Sequence, residues 1–136
     1  MKMEKVKVII EKTDTGFSAY LADVSGIVTA ADTFDELREN VKELVDVYIE
    51  TAHEYGDPLP DIFKGDYTCE FKFDIQAFMQ WMSKVMSQRG LAEIAEMNES
   101  LISQYASGIK KPGPKQLHRL QTAIHRFAED LHAISF

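Results

Sequence analysis

The sequence predicts an α+β protein in which a β-β-β-α-β unit, residues 1–73, is followed by an all-α unit, residues 74–136. Hydrophobic residues recur at every second position along much of the first unit and at spacings of three and four in the second. The balance of positive and negative residues changes at the boundary between the two units. Residues 1–74 carry 8 Lys and Arg against 17 Asp and Glu, a balance of −9, whereas residues 75–136 carry 7 against 5, a balance of +2. This split indicates two tasks with two different partners.

The composition is that of a folded chain with room for one ordinary domain or two small ones. Of its 136 residues, 45% are hydrophobic and 27% are charged. The single cysteine, Cys69, can form no internal disulfide and has no companion for a cysteine-based zinc site. Charged residues interrupt every apolar stretch, and the N-terminus lacks the apolar core of a signal peptide. We therefore expect a soluble, cytoplasmic protein without metal or organic cofactor and without membrane contact.

Three strands are predicted at the start of the chain. Residues 6–10 alternate between apolar and other side chains, as expected for a half-buried strand. Gly16, free to adopt a positive φ, ends a turn into a second alternating segment at 17–21. A second turn leads to a third strand at 27–31.

One long helix and one more strand complete the predicted first unit. Asp32 or Thr33 can cap a helix whose apolar stripe runs through residues 34–52, and Gly56 lies just beyond its end. A final alternating segment follows at 67–73. Because the sheet must cover its apolar face, the helix is expected to pack against it.

Four segments of this first part carry a family resemblance. They are residues 8–12 with 14–17, then 20–26, 28–33 and 36–41, in that order. Together they resemble the HicB-type antitoxin domain over most of residues 5–60. The resemblance implies a degenerate ribonuclease H-like sheet that binds and masks a small basic toxin of the HicA type.

Acidic residues crowd the long helix. A field of carboxylates repels nucleic acid and attracts a basic protein, although for any single residue an ordinary solvated helix face explains the charge as well. The candidate toxin-binding residues are Glu36, Glu39, Glu43 and Asp46.

A nuclease is the enzymatic alternative for this unit. A ribonuclease H-like active site holds metal with carboxylates on or beside strands, and Glu11, Asp14, Asp23 and Asp32 are such groups. Turns and solvated strand faces account for the same residues, and the spacing gives no sign that they converge. We therefore expect no catalysis.

The second part predicts short helices. Apolar spacing indicates a helix over residues 75–86, Ser87 can cap the next one, and Asn98 can cap a third that Gly108 ends. Two short helices joined by a tight turn form a helix-turn-helix. Segments 87–93, 100–105 and 108–112 resemble the lambda-repressor/Cro family of DNA-binding domains, although Glu96 stands where that family usually has Gly.

The resemblance implies that the third helix of this unit enters the major groove of DNA. Gln104 can pair with adenine, Gln88 can hold a phosphate, and the lysines suit phosphate contact. Glu99 can accept from cytosine or only favour the helix dipole, and each lysine alone could be an ordinary surface residue. The candidate DNA-binding residues are Gln88, Arg89, Glu99, Ser100, Ser103, Gln104, Lys110 and Lys111.

The last helix predicts self-association. After Pro114, apolar residues from Leu117 to Ile134 follow a heptad-like seam that extends beyond what a small helical core needs. Its end can pack against a second subunit. His118, His125 and His132 recur every seven residues, a spacing too wide for metal ligands on one helix, so we interpret them as surface or interface residues.

The two resemblances together imply an antitoxin of a type II toxin–antitoxin system. Its first unit would neutralise a small basic HicA-like mRNA-cleaving toxin by direct binding. Its second unit would repress its own operon by binding double-stranded operator DNA as a homodimer or higher homo-oligomer. The alternative is a stand-alone helix-turn-helix regulator whose HicB-like domain serves oligomerisation or ligand sensing.

Overall fold

The computed structural model of the protein describes residues 3–136, which divide into two compact units between Ala77 and Phe78. The division falls within a helix, a few residues beyond the boundary expected from the sequence. The sheet unit contains β1 (Glu4–Lys12), β2 (Phe17–Leu21), β3 (Val28–Ala31), α1 (Phe34–Tyr55), a turn of 3-10 helix (Asp61–Phe63) and β4 (Tyr67–Phe73). There follow α2 (Ile75–Met82), α3 (Gln88–Ala95), α4 (Glu99–Ser107) and α5 (Pro114–His132).

The sheet has four strands in the order β3-β2-β1-β4. The first three form an antiparallel meander, in which Ile9 lies opposite Tyr20 and Tyr20 lies opposite Val28. The fourth strand pairs with β1 in parallel, with Ile10 opposite Phe73. The connection through α1 makes this parallel pairing possible, since parallel neighbours need a crossover.

The core of the sheet unit lies between α1 and one face of the sheet. Val8 and Ile10 of β1 and Leu37 and Val45 of α1 are fully buried there. The ring of Phe34 packs edge-on against Phe71 and Phe73 of β4, with ring centroids 5.4 and 4.8 Å away. The side chains on the other sheet face alternate with these and are mostly exposed.

The ends of α1 follow from local sequence. The Thr33 hydroxyl accepts the backbone N–H of Glu36 at 3.2 Å, so Thr33 is the N-cap and Asp32 is not. Gly56, in the left-handed region at φ 68°, ends the helix. Both residues were expected at these ends.

Gly16 has a different role from the expected one. It is not among the residues with positive φ, so the turn does not require the conformational freedom of a glycine at this position. A Cβ atom at this position would lie 2.3 Å from the carbonyl oxygen of Ala31. The glycine therefore lets β2 begin in close contact with the end of β3.

The helix predicted over residues 75–86 ends earlier. α2 stops at Met82, and residues 83–85 form a turn. The Ser83 hydroxyl donates to the carbonyl of Gln80 at 2.7 Å, and side-chain bonds of this kind compete with helix continuation. The apolar period alone does not reveal this interruption.

The remaining helices form the core of the second unit. Leu91 and Ala95 of α3, Ile102 and Tyr105 of α4, and Leu120 of α5 are buried. α5 extends beyond this core, and Leu131 near its end is 53% exposed. Within the described residues, none of the helices is both long and apolar enough to cross a lipid bilayer.

Candidate binding surfaces

A row of acidic side chains lies on the solvent side of α1. The four candidates from the sequence follow one another at spacings of three, four and three, and Glu50 continues the row after four more residues. At 3.6 residues per turn, this row lies opposite the buried stripe that includes Leu37, Val41 and Val45. All five acidic side chains are exposed. We call Glu36, Glu39, Glu43, Asp46 and Glu50 the carboxylate stripe.

The basic residues of the sheet unit offset the charge of the carboxylate stripe only in part. Arg38 pairs with Asp35 and lies over the Phe34 ring, 4.8 Å from its centroid. Lys64 pairs with Asp61, at 3.0 Å. Among residues 3–136, no salt bridge includes a member of the stripe. Lys42, three residues after Glu39 and four before Asp46, offsets this charge in part, and the stripe keeps a net negative field.

One member of the stripe also affects the sheet. Burial raises the pKa of the Tyr67 phenol, and the negative charge of Asp46 raises it further. The charge of Asp46 thus acts on β4 as well as on solvent. Burial likewise raises the pKa of the Cys69 thiol on the same strand.

The segment between α3 and α4 is short and closely bonded. Its first residue, Glu96, has a left-handed backbone at φ 54° and ψ 45°. Its last residue, Asn98, caps α4 by accepting the backbone N–H of Ser100 at 2.8 Å. Since an L residue with a Cβ atom pays for the left-handed conformation, other contacts must hold this turn in place.

Arg119 of α5 provides such contacts. Its Nε atom donates to the carbonyl oxygen of Ala95 at 3.1 Å, and its Nη2 atom donates to the carbonyl oxygen of Glu96. A cation at the carboxyl end of a helix also suits the helix dipole. Arg119 thus links α5 to the end of α3. The sequence analysis missed it, because no local pattern connects residues so far apart in the chain.

The candidate DNA-binding residues lie at three places in the second unit. Gln88 and Arg89 are in the first turn of α3, where Ser87 caps the helix by accepting the N–H of Gly90 at 3.0 Å. Lys110 and Lys111 lie in the connection to α5. The backbone N–H of Lys110 donates to the carbonyl of Gln104 at 3.2 Å, which places this lysine close to the end of α4.

α4 itself presents one polar side. The buried residues Ile102 and Tyr105 lie on one side of α4, and a set of polar residues lies on the opposite side. The polar set is exposed except for the half-buried Gln104 and consists of Glu99, Ser100, Ser103 and Gln104.

The carboxylates considered for a nuclease lie on one strand and in the segments that follow the first three strands. Glu11 is on β1, Asp14 is in the turn after it, and Asp23 and Asp32 follow β2 and β3. All four side chains are exposed. In the described part of the chain, no group of three or more His, Cys, Asp or Glu side chains is arranged to hold a metal ion.

The described residues thus present an exposed acidic row on α1 and an exposed polar side on α4. A comparison with known protein families identifies the family of the chain. Residues 6–105 match the model of HicB-like antitoxins of bacterial toxin–antitoxin systems. The chain belongs to this family, and its role is that of an antitoxin. The match extends through α2, α3 and most of α4, whereas no curated protein matches the chain.

Proposed function

We propose that the protein neutralises a small basic, HicA-like toxin that cleaves mRNA, and that the carboxylate stripe is the surface on which the toxin binds. The observation that carries this proposal is the row of five exposed, unpaired carboxylates on one rigid helix of an antitoxin-family chain. A protein that binds RNA presents positive charge, and such charge complements this stripe.

The stripe would act in two ways. Its field accelerates the encounter with a basic partner, since complementary charge can raise association rates well above those of neutral surfaces. Once bound, the antitoxin covers the surface on which the toxin would hold the phosphates of RNA. Neutralisation is then steric and electrostatic, and the antitoxin makes or breaks no covalent bond.

We further propose that α3, the turn at Glu96 and α4 form a helix-turn-helix that binds operator DNA. The polar side of α4 supplies the base contacts, with Gln104 suited to adenine and the two serines suited to bases or phosphates. Gln88 and Arg89 at the start of α3 and the two lysines after α4 supply the phosphate contacts. Binding at its own operator would repress the operon.

Two copies would be needed to read two half-sites. A pair of α4 helices about 34 Å apart would match one turn of DNA. The exposed end of α5, with Leu131 and the partly buried Phe127, offers an apolar surface for the second copy in this unit. The three histidines of α5 lie beside this seam and are all exposed.

Capture of partners from the native host tests the proposal. The full-length tagged chain is isolated before and after nuclease treatment, and the bound proteins are identified. A small basic protein that stays bound without nucleic acid supports the antitoxin function. Recovery of DNA alone would instead favour the stand-alone regulator, in which the sheet unit serves oligomerisation or ligand sensing.

The DNA proposal has its own pair of variants. Gln104→Ala should reduce discrimination between operator and unrelated DNA by about 1–3 kcal/mol. Lys110→Ala should weaken binding to all DNA and lower the slope of log affinity against log salt by about one unit. Both are measured by fluorescence anisotropy with operator and scrambled duplexes. Wild-type behaviour of both variants would contradict the assignment of α4.

A further inference from the structure

Two aliphatic side chains of the helical unit are held in solvent. Val85 is 77% exposed and Ile109 is 79% exposed. Among the large apolar residues of the described chain, only the terminal residue Phe136 is more exposed. Val85 lies in the turn between α2 and α3, and Ile109 lies in the connection between α4 and α5. The two residues therefore lie at the outer ends of the α3–α4 pair.

Backbone hydrogen bonds hold both turns, so this exposure is a property of the folded unit. The N–H of Val85 donates to the carbonyl of Met82 at 2.9 Å. α4 ends at a glycine with a left-handed backbone, and the N–H of Lys110 then donates to the carbonyl of Gln104 at 3.2 Å. After a helix end of this kind, an apolar residue frequently packs back onto the last turn. The high exposure of Ile109 shows that it is left uncovered instead.

Exposed cations lie beside each of the two aliphatic side chains. Two of them flank Val85 in the sequence, and two follow Ile109 directly. No Asp or Glu lies within three positions of either aliphatic residue. Within residues 3–136, none of the four cations takes part in a salt bridge. The four cations are Lys84, Arg89, Lys110 and Lys111.

The backbone of double-stranded DNA has the chemistry that fits this arrangement. Its phosphates repeat along each strand as anions, and the deoxyribose rings between them present C–H groups. A surface with an aliphatic side chain beside a cation can bury a sugar and hold the neighbouring phosphate at once. An apolar protein surface would match Val85 and Ile109, but it would leave the four cations without partners, and burying an unpaired charge is costly.

We propose that Ile109 and Val85 pack against deoxyribose rings of bound DNA, next to phosphates that the neighbouring cations hold. This inference rests on the proposed binding of DNA by the helical unit. Since every nucleotide of DNA has the same sugar, the contact strengthens binding to all sequences and distinguishes none of them. An apolar contact neutralises no phosphate and releases no counterion, so it leaves the salt dependence of binding unchanged.

Fluorescence anisotropy of the full chain over a range of salt concentrations tests this contact. The probes are a duplex from the promoter of the chain's own gene and a scrambled duplex of the same composition. Ile109→Ser should weaken binding to both duplexes about fivefold, without a change in the slope of log affinity against log salt. Ile109→Leu keeps the apolar area and should bind like wild type. Lys110→Ala should instead lower the slope by about one unit.

Two further variants make the test specific. Val85→Ser should have the same effect as Ile109→Ser, because the two side chains are proposed to make the same kind of contact. Val47→Ser is the control, since Val47 is 57% exposed but lies on α1 in the sheet unit, and it should leave DNA binding unchanged. Circular dichroism verifies folding, and sedimentation verifies that each variant keeps the oligomeric state of wild type.

The outcomes separate this inference from the proposed function. A wild-type chain that binds neither duplex contradicts the proposed binding of DNA and this inference with it. If Lys110→Ala lowers the slope but both serine variants bind like wild type, the inference alone is overturned. A loss confined to the promoter duplex would assign Ile109 to base edges, and a loss that accompanies dissociation of subunits would assign it to an interface between copies. Either result overturns the sugar contact.

Discussion

The sheet unit and the helical unit present their polar surfaces in different ways. The carboxylate stripe lies on one helix of 22 residues, so its spacing follows from the helix itself. The polar side of α4 lies on a helix of 9 residues, next to α3 with 8. Helices this short are marginal alone, so caps and tertiary bonds must set their orientation. The acidic surface therefore depends on local sequence, and the polar surface depends on caps and on distant contacts.

The two surfaces should therefore respond differently to substitution. In the carboxylate stripe, single replacements change one charge among five and leave the helix intact. Around α4, a single replacement of Asn98 or Arg119 removes a side-chain hydrogen bond that holds the turn, and a replacement of Glu96 changes the cost of its left-handed backbone. The sheet unit, in turn, is sensitive where its strands approach one another most closely.

The largest expected effect is at Gly16, where the sheet unit has no space for a side chain. Gly16→Ala should lower the free energy of unfolding by about 2–4 kcal/mol, because its Cβ would lie 2.3 Å from the Ala31 carbonyl oxygen. Urea unfolding followed by circular dichroism measures this. Gly65→Ala is the control, since a Cβ there has no neighbour within 4 Å. Equal stability of the two variants would contradict the close approach of β2 and β3.

The next effect tests the tertiary bonds of the helical unit. Arg119→Ala should cost about 1–2 kcal/mol of stability, because the carbonyls at the end of α3 lose a charged donor. It should also weaken operator binding, although we place Arg119 outside the DNA surface. Arg126→Ala on the same helix is the control, since Arg126 is exposed and has no recorded hydrogen bond in the described residues. If both variants behave alike, Arg119 does not orient the turn.

A smaller effect is expected at the strained turn. Glu96→Gly should raise stability by about 0.5–1 kcal/mol, because glycine adopts φ 54° without steric cost. Glu93→Gly, three residues earlier and inside α3, should instead lower stability by about 1 kcal/mol. Thermal unfolding compares the two variants. Destabilisation by Glu96→Gly would mean that the glutamate side chain itself supports the turn.

The smallest effect concerns the thiol on β4. Because burial raises the pKa of Cys69, less of it is thiolate at pH 8 than of an exposed cysteine. Alkylation by iodoacetamide should be several-fold slower than for a small thiol and should reach the small-thiol rate in urea. An alkylation rate in native protein equal to that in urea would contradict the burial of Cys69.

The raised pKa values of Cys69 and Tyr67 also mean that the free energy of unfolding falls as pH rises above about 9.

The sheet unit was predicted well from sequence where its signals are local. Alternation located β1, β2 and β4, and cap chemistry at Thr33 and Gly56 located both ends of α1. The parallel pairing of β4 with β1 was not predicted, since alternation identifies a strand without identifying its neighbour. The role of Gly16 was assigned wrongly for the same reason, because its crowding comes from a strand beyond the turn.

In the helical unit, the sequence located α3, α4 and their caps, and it marked Glu96 only as a departure from the usual Gly; the structure adds that this residue takes a left-handed backbone. It extended α2 too far, because the Ser83 side-chain bond does not disturb the apolar period. It also missed Arg119, whose partners lie 23 and 24 residues away in the chain. Hydrogen bonds between residues so far apart in the chain depend on how the helices pack, and the spacing of apolar residues along one helix does not predict this packing.

The most direct test of the central claim is the affinity of the chain for its basic toxin when the carboxylate stripe is reversed. Glu39→Lys/Glu43→Lys is compared by isothermal titration calorimetry with Asp14→Lys/Asp23→Lys, which makes the same change in net charge at exposed positions after β1 and β2, outside α1. We expect the stripe variant to bind about a hundredfold more weakly, with a reduced salt dependence, and the control to remain within about threefold of wild type. Equal weakening of both variants, or of neither, would contradict the assignment of toxin binding to this surface.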